Sequence, residues 1–282
     1  GELAATKKGR EFLREINIYH RPKKGMSRVI AWDGEGVSTP DGMHWYVLFG
    51  NSEYDVIKEH TEHKQLSTRD CLNLLVDTRM AHPGAVHVSF SFSYDVEMML
   101  RDLNVDAWRT LYDTNKVRWA EFAIEYIPHK FLTVTRYVTH GKKKVGKRLT
   151  VWDIFGFFQT SFVNSINANL KDVKGLETIV EGKGNRRTFQ IHELDSMIEP
   201  YWAVEIAALR MLFEQLRDYL IEANLDPGRY HGPGAIAHKL NTMHGTKFHM
   251  QNMPETHGWM ARMAFAGGRF EQFKVGRQMG KV

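Results

Sequence analysis

The sequence predicts an α/β fold, because runs with strand periodicity alternate along the chain with segments of helical periodicity. Apolar and polar residues alternate over residues 86–92, as they do on a half-buried strand. Further along the chain, an apolar stripe at helical spacing extends from Trp202 to Leu220. The 282 residues allow one large domain or two, and a content of 43% hydrophobic and 25% charged residues is typical of globular proteins.

Composition excludes several classes of protein. Cys71 is the only cysteine, which rules out an internal disulfide and favours a reducing compartment. No apolar run approaches the ~18–20 residues that a membrane-spanning helix needs. Residues 1–25 are rich in Lys and Arg, unlike a signal peptide. We therefore expect a cytoplasmic protein without a membrane partner. The net charge of +5 permits a polyanion partner without requiring one.

The N-terminal half of the chain contains four predicted elements. Two apolar runs on either side of a Gly-containing turn predict a β-hairpin. Ser67 is placed to cap a helix, and the alternating strand is followed at once by apolar residues at helical spacing. In order, these elements are a hairpin at 29–49, a helix at 67–80, a strand at 86–92 and a helix that begins at 93–95 and continues to 103.

The C-terminal half predicts a second strand pair and a long helix. The strands, 131–138 and 149–154, flank a basic tip at 142–148, which either is a solvated turn or contacts phosphate. Pro200 favours the start of the long helix, because proline is frequent in the first helical turn. A turn with the sequence Asp-Pro-Gly, at 226–228, ends this helix.

Changes in composition suggest the domain boundaries. The polar N-terminal residues have few apolar positions, and glycine becomes more frequent after the long helix. We therefore predict an N-terminal extension at 1–26, a main domain at 27–226 and a C-terminal connector at 227–282.

Two acids stand close together after the first apolar run. Asp33 and Glu35 are two residues apart, so on a strand both carboxylates point to the same face. Gly34 and Gly36 leave the adjoining backbone open to a substrate. The pair either contributes to one functional site or is a solvated strand end.

Two later segments carry further candidate residues. Asp95 stands where a strand passes into a helix, and sites are frequent at the carboxyl ends of strands. It could equally complement the helix dipole. Tyr201 and Glu205 are four residues apart and therefore neighbours on one face of the long helix. They could orient a water and hold a metal, or they could form an ordinary pair at the edge of the core.

Convergence of these acids would suit divalent cations. Hydrolysis of a phosphodiester by two metal ions needs hard oxygen ligands that hold the ions about 3.5–4 Å apart. Mg²⁺ prefers such ligands in proteins. The candidate residues for this chemistry are Asp33, Glu35, Asp95, Tyr201 and Glu205.

In their order along the chain, these segments resemble the three exonuclease motifs of family B DNA polymerases. Residues 33–35 are similar to the D-x-E of the first motif, 91–95 to the N-x-x-F/Y-D of the second and 201–205 to the Y-x-x-x-D of the third. Residues 265–269 are similar to the Y-x-G-G segment that joins exonuclease and polymerisation domains in the protein-primed branch from phages and linear plasmids. The resemblance covers about residues 28–270.

The resemblance implies a ribonuclease-H-like fold, with a mixed sheet flanked by helices, and 3′→5′ proofreading at single-stranded DNA ends with two Mg²⁺ or Mn²⁺ ions. It implies that the four acids are metal ligands and that Tyr201 orients the attacking water. Lys183 either would stabilise the leaving phosphate or belongs to a solvated basic loop, and Tyr94 would stack on a base, which is worth ~1–3 kcal/mol. The residues implied to contact DNA are Ser91, Tyr94, Phe162, Lys183, Gly267 and Gly268.

Four positions depart from the pattern of that family. Glu205 replaces the usual Asp, and we expect the helix to be set back to accommodate its longer side chain. Ser91 replaces the usual Asn, Gly36 stands where a hydroxyl residue is frequent, and Phe265 replaces a Tyr. The palm motifs D-x-x-S-L-Y-P and D-T-D are missing, so we expect the chain to be the N-terminal part of a longer polymerase and not to polymerise by itself.

The expected partners are DNA, as the single-stranded 3′ end of a primer-template, and a terminal priming protein, in a bacterial or phage-infected cell. Two other functions remain open. The replacement at Glu205 could leave a catalytically weakened module that binds single-stranded DNA in a salt-sensitive way without cleaving it. The chain could also be chiefly a structural or protein-contact region.

Overall fold

The computed structural model describes residues 27–39, 42–140, 143–171, 173–186, 188–245, 252, 254–257 and 259–260. The chain divides into two compact units after Ile236, and every element that forms the candidate site lies in the first unit. The predicted extension at 1–26 lies outside the described residues. The boundary predicted at residue 226 and the role of the C-terminal connector stay predictions.

Eight strands in the described part of the chain form one mixed sheet. Their order across the sheet is β3-β2-β1-β4-β8-β7-β6-β5. The central strands β1, β4 and β8 are parallel, whereas the other neighbouring strands pair antiparallel. The strands are β1 (Val29–Ser38), β2 (His44–Asn51), β3 (Val56–Lys58), β4 (Val86–Ser89), β5 (Lys116–Trp119), β6 (Phe122–Ile127), β7 (Phe131–His140) and β8 (Lys143–Asp153).

The helices lie between and after these strands. A 3₁₀ turn at Ile191–Glu193 and a π-helical turn at Leu194–Ile198 lead into the longest of them. The α-helices are α1 (Thr68–Ala81), α2 (Ser93–Met99), α3 (Val105–Thr114), α4 (Phe155–Phe158), α5 (Phe162–Asn169), α6 (Leu176–Asn185), α7 (Glu199–Glu222) and α8 (Pro233–Met243).

The sheet separates two hydrophobic cores because successive side chains of β1 point to opposite faces. Val29 and Ala31 are buried in the core that includes residues of α5, α6 and α7. Ile30 and Trp32 are buried in the other core, with residues of α1, α2 and α3. Helices therefore flank both faces of a mixed sheet, which confirms the predicted α/β class. The arrangement is compatible with a ribonuclease-H-like fold.

The predicted hairpin, the first helix, the second strand pair and the long helix are confirmed. β1 and β2 pair antiparallel, as do β7 and β8. Ser67 caps α1 as predicted, because its hydroxyl accepts a hydrogen bond of 3.1 Å from the Asp70 amide. Pro200 lies in the first turn of α7, where its missing N–H costs no helical hydrogen bond.

Three predicted boundaries are wrong. β4 ends at Ser89 because the backbone of Ser91, with φ of 57°, turns the chain away from the sheet. α2 ends at Met99 because Asn104 caps the next helix and accepts a hydrogen bond from the amide of Ala107. Most of the predicted basic tip at 142–148 belongs to β8.

In the described part of the chain, no helix has the length and apolar character that crossing a bilayer would require.

Candidate metal centre

The candidate site is a cleft of about 940 Å³ beside the second half of β1. β1 pairs with β4 over Val29–Ala31 and then continues to Ser38 along β2. The chain leaves β4 after Ser89 and turns into α2, so space opens beside β1 at this point. Residues lining the cleft include Asp33, Glu35, Ser91, Tyr94, Asp95, Phe155, Phe162, Lys183, Arg186 and Glu205.

Three carboxylates meet in this cleft. Asp33 and Glu35 project from the face of β1 that packs on α7, and α7 supplies Glu205. One ligand atom from each lies within 4.8 Å of the others, so the three residues could hold a metal ion. Asp33 Oδ2 is buried and has no hydrogen-bond partner in the described part of the chain. A buried carboxylate oxygen without a donor is suited to a cation.

Asp95 faces the same cleft from the first turn of α2 but is not part of that close group of three. Its Oδ1 accepts a hydrogen bond of 2.8 Å from the Tyr46 hydroxyl. The structure thus brings all four acids that the sequence singles out to one cleft, three of them within reach of a single ion.

Burial and repulsion between carboxylates oppose ionisation of Asp33, Glu35 and Asp95. Burial is the largest reason that the pKa values of Asp33 and Glu35 are raised well above their usual range, and the charge of Glu205 raises both further. Burial also raises the pKa of Asp95 to about 7, although the hydrogen bond from Tyr46 opposes the shift. A bound divalent cation would relieve this repulsion, because it favours the charged form of each neighbouring carboxylate.

Glu205 has a donor on each of its oxygens. The Tyr201 hydroxyl, one turn earlier on α7, donates to Oε2, and the Lys183 ammonium donates to Oε1. Burial, followed by the charge of Glu205, raises the pKa of the Tyr201 hydroxyl, which therefore keeps its proton and remains a donor. The predicted pairing of Tyr201 with Glu205 is present, and Lys183 adds a positive charge to the acidic group.

A glycine determines how closely α6 approaches α7. A Cβ at Gly182 would overlap the Tyr201 ring, so only glycine allows this contact between the helices. Lys183 follows directly and is thereby brought to Glu205. Its ammonium also lies 5.2 Å from the centre of the Phe162 ring.

The residues expected to contact DNA have different surroundings. Tyr94 lines the cleft with 41% of its surface exposed, as a stacking residue requires. Ser91 is exposed at the cleft, while its amide donates a hydrogen bond of 2.9 Å to Asp153 Oδ1. Phe162 also lines the cleft, but only 6% of it is exposed, and its ring packs against Phe90.

Two of the expected DNA-contact residues, Gly267 and Gly268, lie outside the described residues. Their proposed approach to DNA stays a prediction of the sequence.

Sequence reasoning missed residues that support the site from neighbouring strands. Asp153, at the end of β8, accepts hydrogen bonds from the amides of Ser91, Phe92 and Phe155 and so holds the turn before Asp95. The position of Asp153 near the end of a predicted strand was a sequence signal that could have identified it as a residue of the site. Tyr46 and His44 of β2 carry no such signal, because their contacts are with residues about 50 positions later in the chain.

Comparison with protein-family models, curated proteins and solved structures finds no match to this chain. Chemically, the cleft offers a buried set of hard oxygen ligands, one lysine and an exposed aromatic ring. Such ligands favour Mg²⁺ or Mn²⁺ over softer metals.

Proposed function

We propose that this chain is a metal-dependent 3′→5′ exonuclease acting on single-stranded DNA ends, with a ribonuclease-H-like fold. One observation carries the proposal: Asp33 and Glu35 from β1 meet Glu205 from α7, with ligand atoms within 4.8 Å of one another. These are acids of the first and third motifs that resemble the exonuclease motifs of family B DNA polymerases. Asp95 of the second motif faces the same cleft.

The four acids divide between two ions in this proposal. Asp33, Glu35 and Glu205 would hold one ion, and Asp33 and Asp95 would hold the other. When bound, the ions would supply a water of lowered pKa and neutralise charge on the leaving 3′ oxygen. Glu205 is long enough to reach the two acids of β1 from α7, which supports its role as a replacement for the Asp of the family.

Other residues of the cleft orient the reactants. Tyr201 is a buried hydroxyl donor beside Glu205 and aligns the attacking water. The Lys183 ammonium lies on the other oxygen of Glu205 and contacts the leaving phosphate. Tyr94 stacks on a base at the 3′ end, which contributes ~1–3 kcal/mol. Its exposed ring in the same cleft as the acids supports this role.

The wider assignments come from the motif resemblance. We propose that the chain is the proofreading part of a longer family B DNA polymerase, that residues 227–282 connect it to the polymerisation domain, and that DNA and a terminal priming protein are its partners. These proposals would be tested by the parent sequence, in which a polymerase acid motif should follow within about 30 residues.

An oligonucleotide assay tests the activity. A 5′-labelled single strand is incubated with the chain and Mg²⁺ or Mn²⁺, and the products are separated by length. We expect stepwise shortening by wild type, none by Asp33→Ala, and full activity in Asp113→Ala, which removes an exposed acid of α3. No shortening by wild type, or equal shortening by Asp33→Ala, would contradict the proposal.

A second candidate function is a single-stranded DNA-binding module without catalysis. Both oxygens of Glu205 already have donors, Tyr201 and Lys183, and this favours a site in which the metal is excluded. Such a module would bind single strands with strong salt dependence. It would retain DNA on a filter at low salt, and in the oligonucleotide assay it would leave the length of the DNA unchanged.

A further inference from the structure

Two glycines of β1 leave room for two hydrogen bonds that cross from β2 to α2. A Cβ at Gly34 would overlap the Tyr46 hydroxyl, which reaches Asp95, and would lie 2.8 Å from the carbonyl oxygen of Leu48. A Cβ at Gly36 would overlap His44 Nε2 and lie 2.5 Å from the Tyr94 hydroxyl. A side chain at either glycine would therefore displace the two hydrogen-bonded residues that meet beside it.

The two faces of β1 are used differently. Asp33 and Glu35 point toward α7, whereas Gly34 and Gly36 lie on the face that also carries Tyr46 and the residues of α2. Strand pairing supports this placement, since Gly36 is opposite Tyr46 and the register shifts between Glu35 and Gly36. The acidic motif thus holds its carboxylates on one face and leaves the other open for β2 to reach α2.

We propose that Tyr46 and His44 are positioning residues of the nuclease site, Tyr46 for the metal ligand Asp95 and His44 for the stacking ring of Tyr94. This inference rests on the proposed function. Neither residue touches the reacting atoms; each acts through its partner on α2.

Tyr46 fixes the orientation of the Asp95 carboxylate. The tyrosine is fully buried, and its ring packs on Phe49 with centroids 6.1 Å apart, so the hydroxyl has little freedom. Its hydrogen bond of 2.8 Å occupies Oδ1 of Asp95 and leaves Oδ2 as the oxygen for a cation. Without this bond, a carboxylate on the short helix α2 would rotate about its side-chain bonds.

His44 fixes the ring of Tyr94 at the mouth of the cleft. Its Nε2 shares a hydrogen bond of 2.6 Å with the Tyr94 hydroxyl, and its Nδ1 shares one of 2.9 Å with the Ser38 hydroxyl. Arg101 donates a hydrogen bond of 2.6 Å to the backbone carbonyl of His44. The imidazole is therefore held at both nitrogens, and the tyrosine ring is ordered before a base arrives, which lowers the entropy lost on binding.

The proposal predicts separate effects for two residues of one strand. His44 and Tyr46 lie two positions apart on the same face of β2, and their partners Tyr94 and Asp95 are adjacent. Loss of the Tyr46 hydroxyl should affect metal binding and kcat. Loss of the His44 imidazole should affect binding of the DNA end and KM.

Tyr46→Phe tests the first role, because it removes the hydroxyl and keeps the ring. Mn²⁺ binding to the full chain is followed by electron paramagnetic resonance, and kcat and KM are measured on a single-stranded oligonucleotide. We expect the affinity for the more weakly bound Mn²⁺ ion to fall at least fivefold and kcat to fall about tenfold, with KM within twofold of the wild-type value. Tyr230→Phe, which removes a buried hydroxyl bonded to Asp226 at 2.7 Å outside the cleft, should change none of these.

The outcomes separate this role from the proposed function. Unchanged Mn²⁺ binding in Tyr46→Phe, or an equal loss in Tyr230→Phe, would overturn the role of Tyr46. A wild type that binds two Mn²⁺ ions but leaves DNA intact would contradict the nuclease, while the Mn²⁺ titration would still decide the role of Tyr46. A wild type that binds no Mn²⁺ would overturn both.

A fluorescent DNA end tests the second role. An oligonucleotide with 2-aminopurine at its 3′ terminus is titrated with the chain in the presence of Ca²⁺. This base is used because stacking quenches its fluorescence. We expect quenching by wild type, loss of quenching with a five- to tenfold higher Kd in His44→Ala, and partial recovery in His44→Gln. Tyr94→Ala should lose the same quenching, and the double variant should lose no more. Quenching that persists in His44→Ala, or that is absent in wild type, would overturn the role of His44.

Discussion

The indole N–H of Trp202 donates a hydrogen bond of 3.0 Å to the backbone carbonyl of Asp33. It joins α7 to β1 at the residue where the acidic motif begins. Glu205 follows one turn later on α7, so this bond sets the distance between the acids of the first and third motifs.

Trp202→Phe should therefore affect both stability and metal binding. The indole is fully buried, so the smaller ring leaves a cavity and loses the hydrogen bond to Asp33, at a cost of about 2–4 kcal/mol in unfolding free energy. We also expect at least fivefold weaker Mn²⁺ binding. Urea denaturation and a Mn²⁺ titration measure the two effects.

Phe213→Leu is the matched control for this variant. Phe213 is buried on the same helix, and its truncation should cost about 1–2 kcal/mol without changing Mn²⁺ binding. If both variants lost Mn²⁺ affinity equally, the loss would follow from destabilisation and not from the bond to Asp33.

Gly182→Ala should disturb the contact between α6 and α7. Its Cβ would overlap the Tyr201 ring, so α6 must move and carry Lys183 away from Glu205. We expect a loss of about 1–3 kcal/mol in unfolding free energy and a lower kcat.

A Cβ at Gly184, on the same helix, would meet no atom of the described residues within 4 Å, so Gly184→Ala should stabilise the chain by about 0.5–1 kcal/mol. Thermal unfolding measures the change in stability of each variant relative to wild type. If both variants were stabilised, or both destabilised, this explanation would be refuted.

Lys183→Ala should have opposite effects on metal binding and on catalysis. The ammonium occupies one oxygen of Glu205 and repels a divalent cation, so its removal should tighten Mn²⁺ binding about two- to fivefold. Loss of its charge near the leaving phosphate should lower kcat by about 10–100-fold. Lys174→Ala, at an exposed position before α6, serves as the control. Weaker Mn²⁺ binding in Lys183→Ala would contradict the proposed competition.

The metal-free protein should lose stability as pH rises between about 4 and 7. The pKa of Asp95 is raised from 3.8 to about 7 in the folded state, and those of Asp33 and Glu35 are raised as well. In this range the folded state binds more protons than the unfolded state, so unfolding free energy falls with increasing pH. Mg²⁺ at neutral pH should reverse the loss, because it stabilises the ionised carboxylates.

Asp95→Asn isolates one part of this effect, since the amide does not ionise. In EDTA, its unfolding free energy relative to wild type should increase by on the order of 2 kcal/mol between pH 4 and 8. Urea denaturation at several pH values measures the difference. Parallel pH profiles for the two proteins would show that Asp95 is not held in a state that resists ionisation.

Local sequence patterns predicted the elements whose signals are local. The apolar run Val29–Trp32, the Ser67 cap and the apolar stripe of α7 are each contained in a few strand residues or helical turns, so local patterns were sufficient. The strands β5 and β6 were not predicted. Both are short, and the alternation of buried Phe122, Ile124 and Tyr126 with partly exposed residues in β6 was overlooked as a strand signal. Pairing of β6 with β7, and of β5 with β6, holds them in the sheet.

The same distinction applies to the candidate site. Spacing placed Asp33 with Glu35 and Tyr201 with Glu205, because residues two apart on a strand or four apart on a helix share a face. Spacing could not reveal that Tyr46 reaches Asp95 through the gap at Gly34, since that contact joins two elements distant in sequence.

Release of the terminal nucleotide is the most direct test of the proposed nuclease. A single strand labelled at its 3′ end is mixed with Mn²⁺ and either wild type or Glu205→Gln, and the earliest products are identified. We expect wild type to release labelled nucleoside monophosphate from the first turnover and Glu205→Gln to release at least 100-fold less. A label that stays on the oligonucleotide with wild type, or that Glu205→Gln releases at the same rate, would contradict the claim that the convergent acids of β1 and α7 cleave DNA ends.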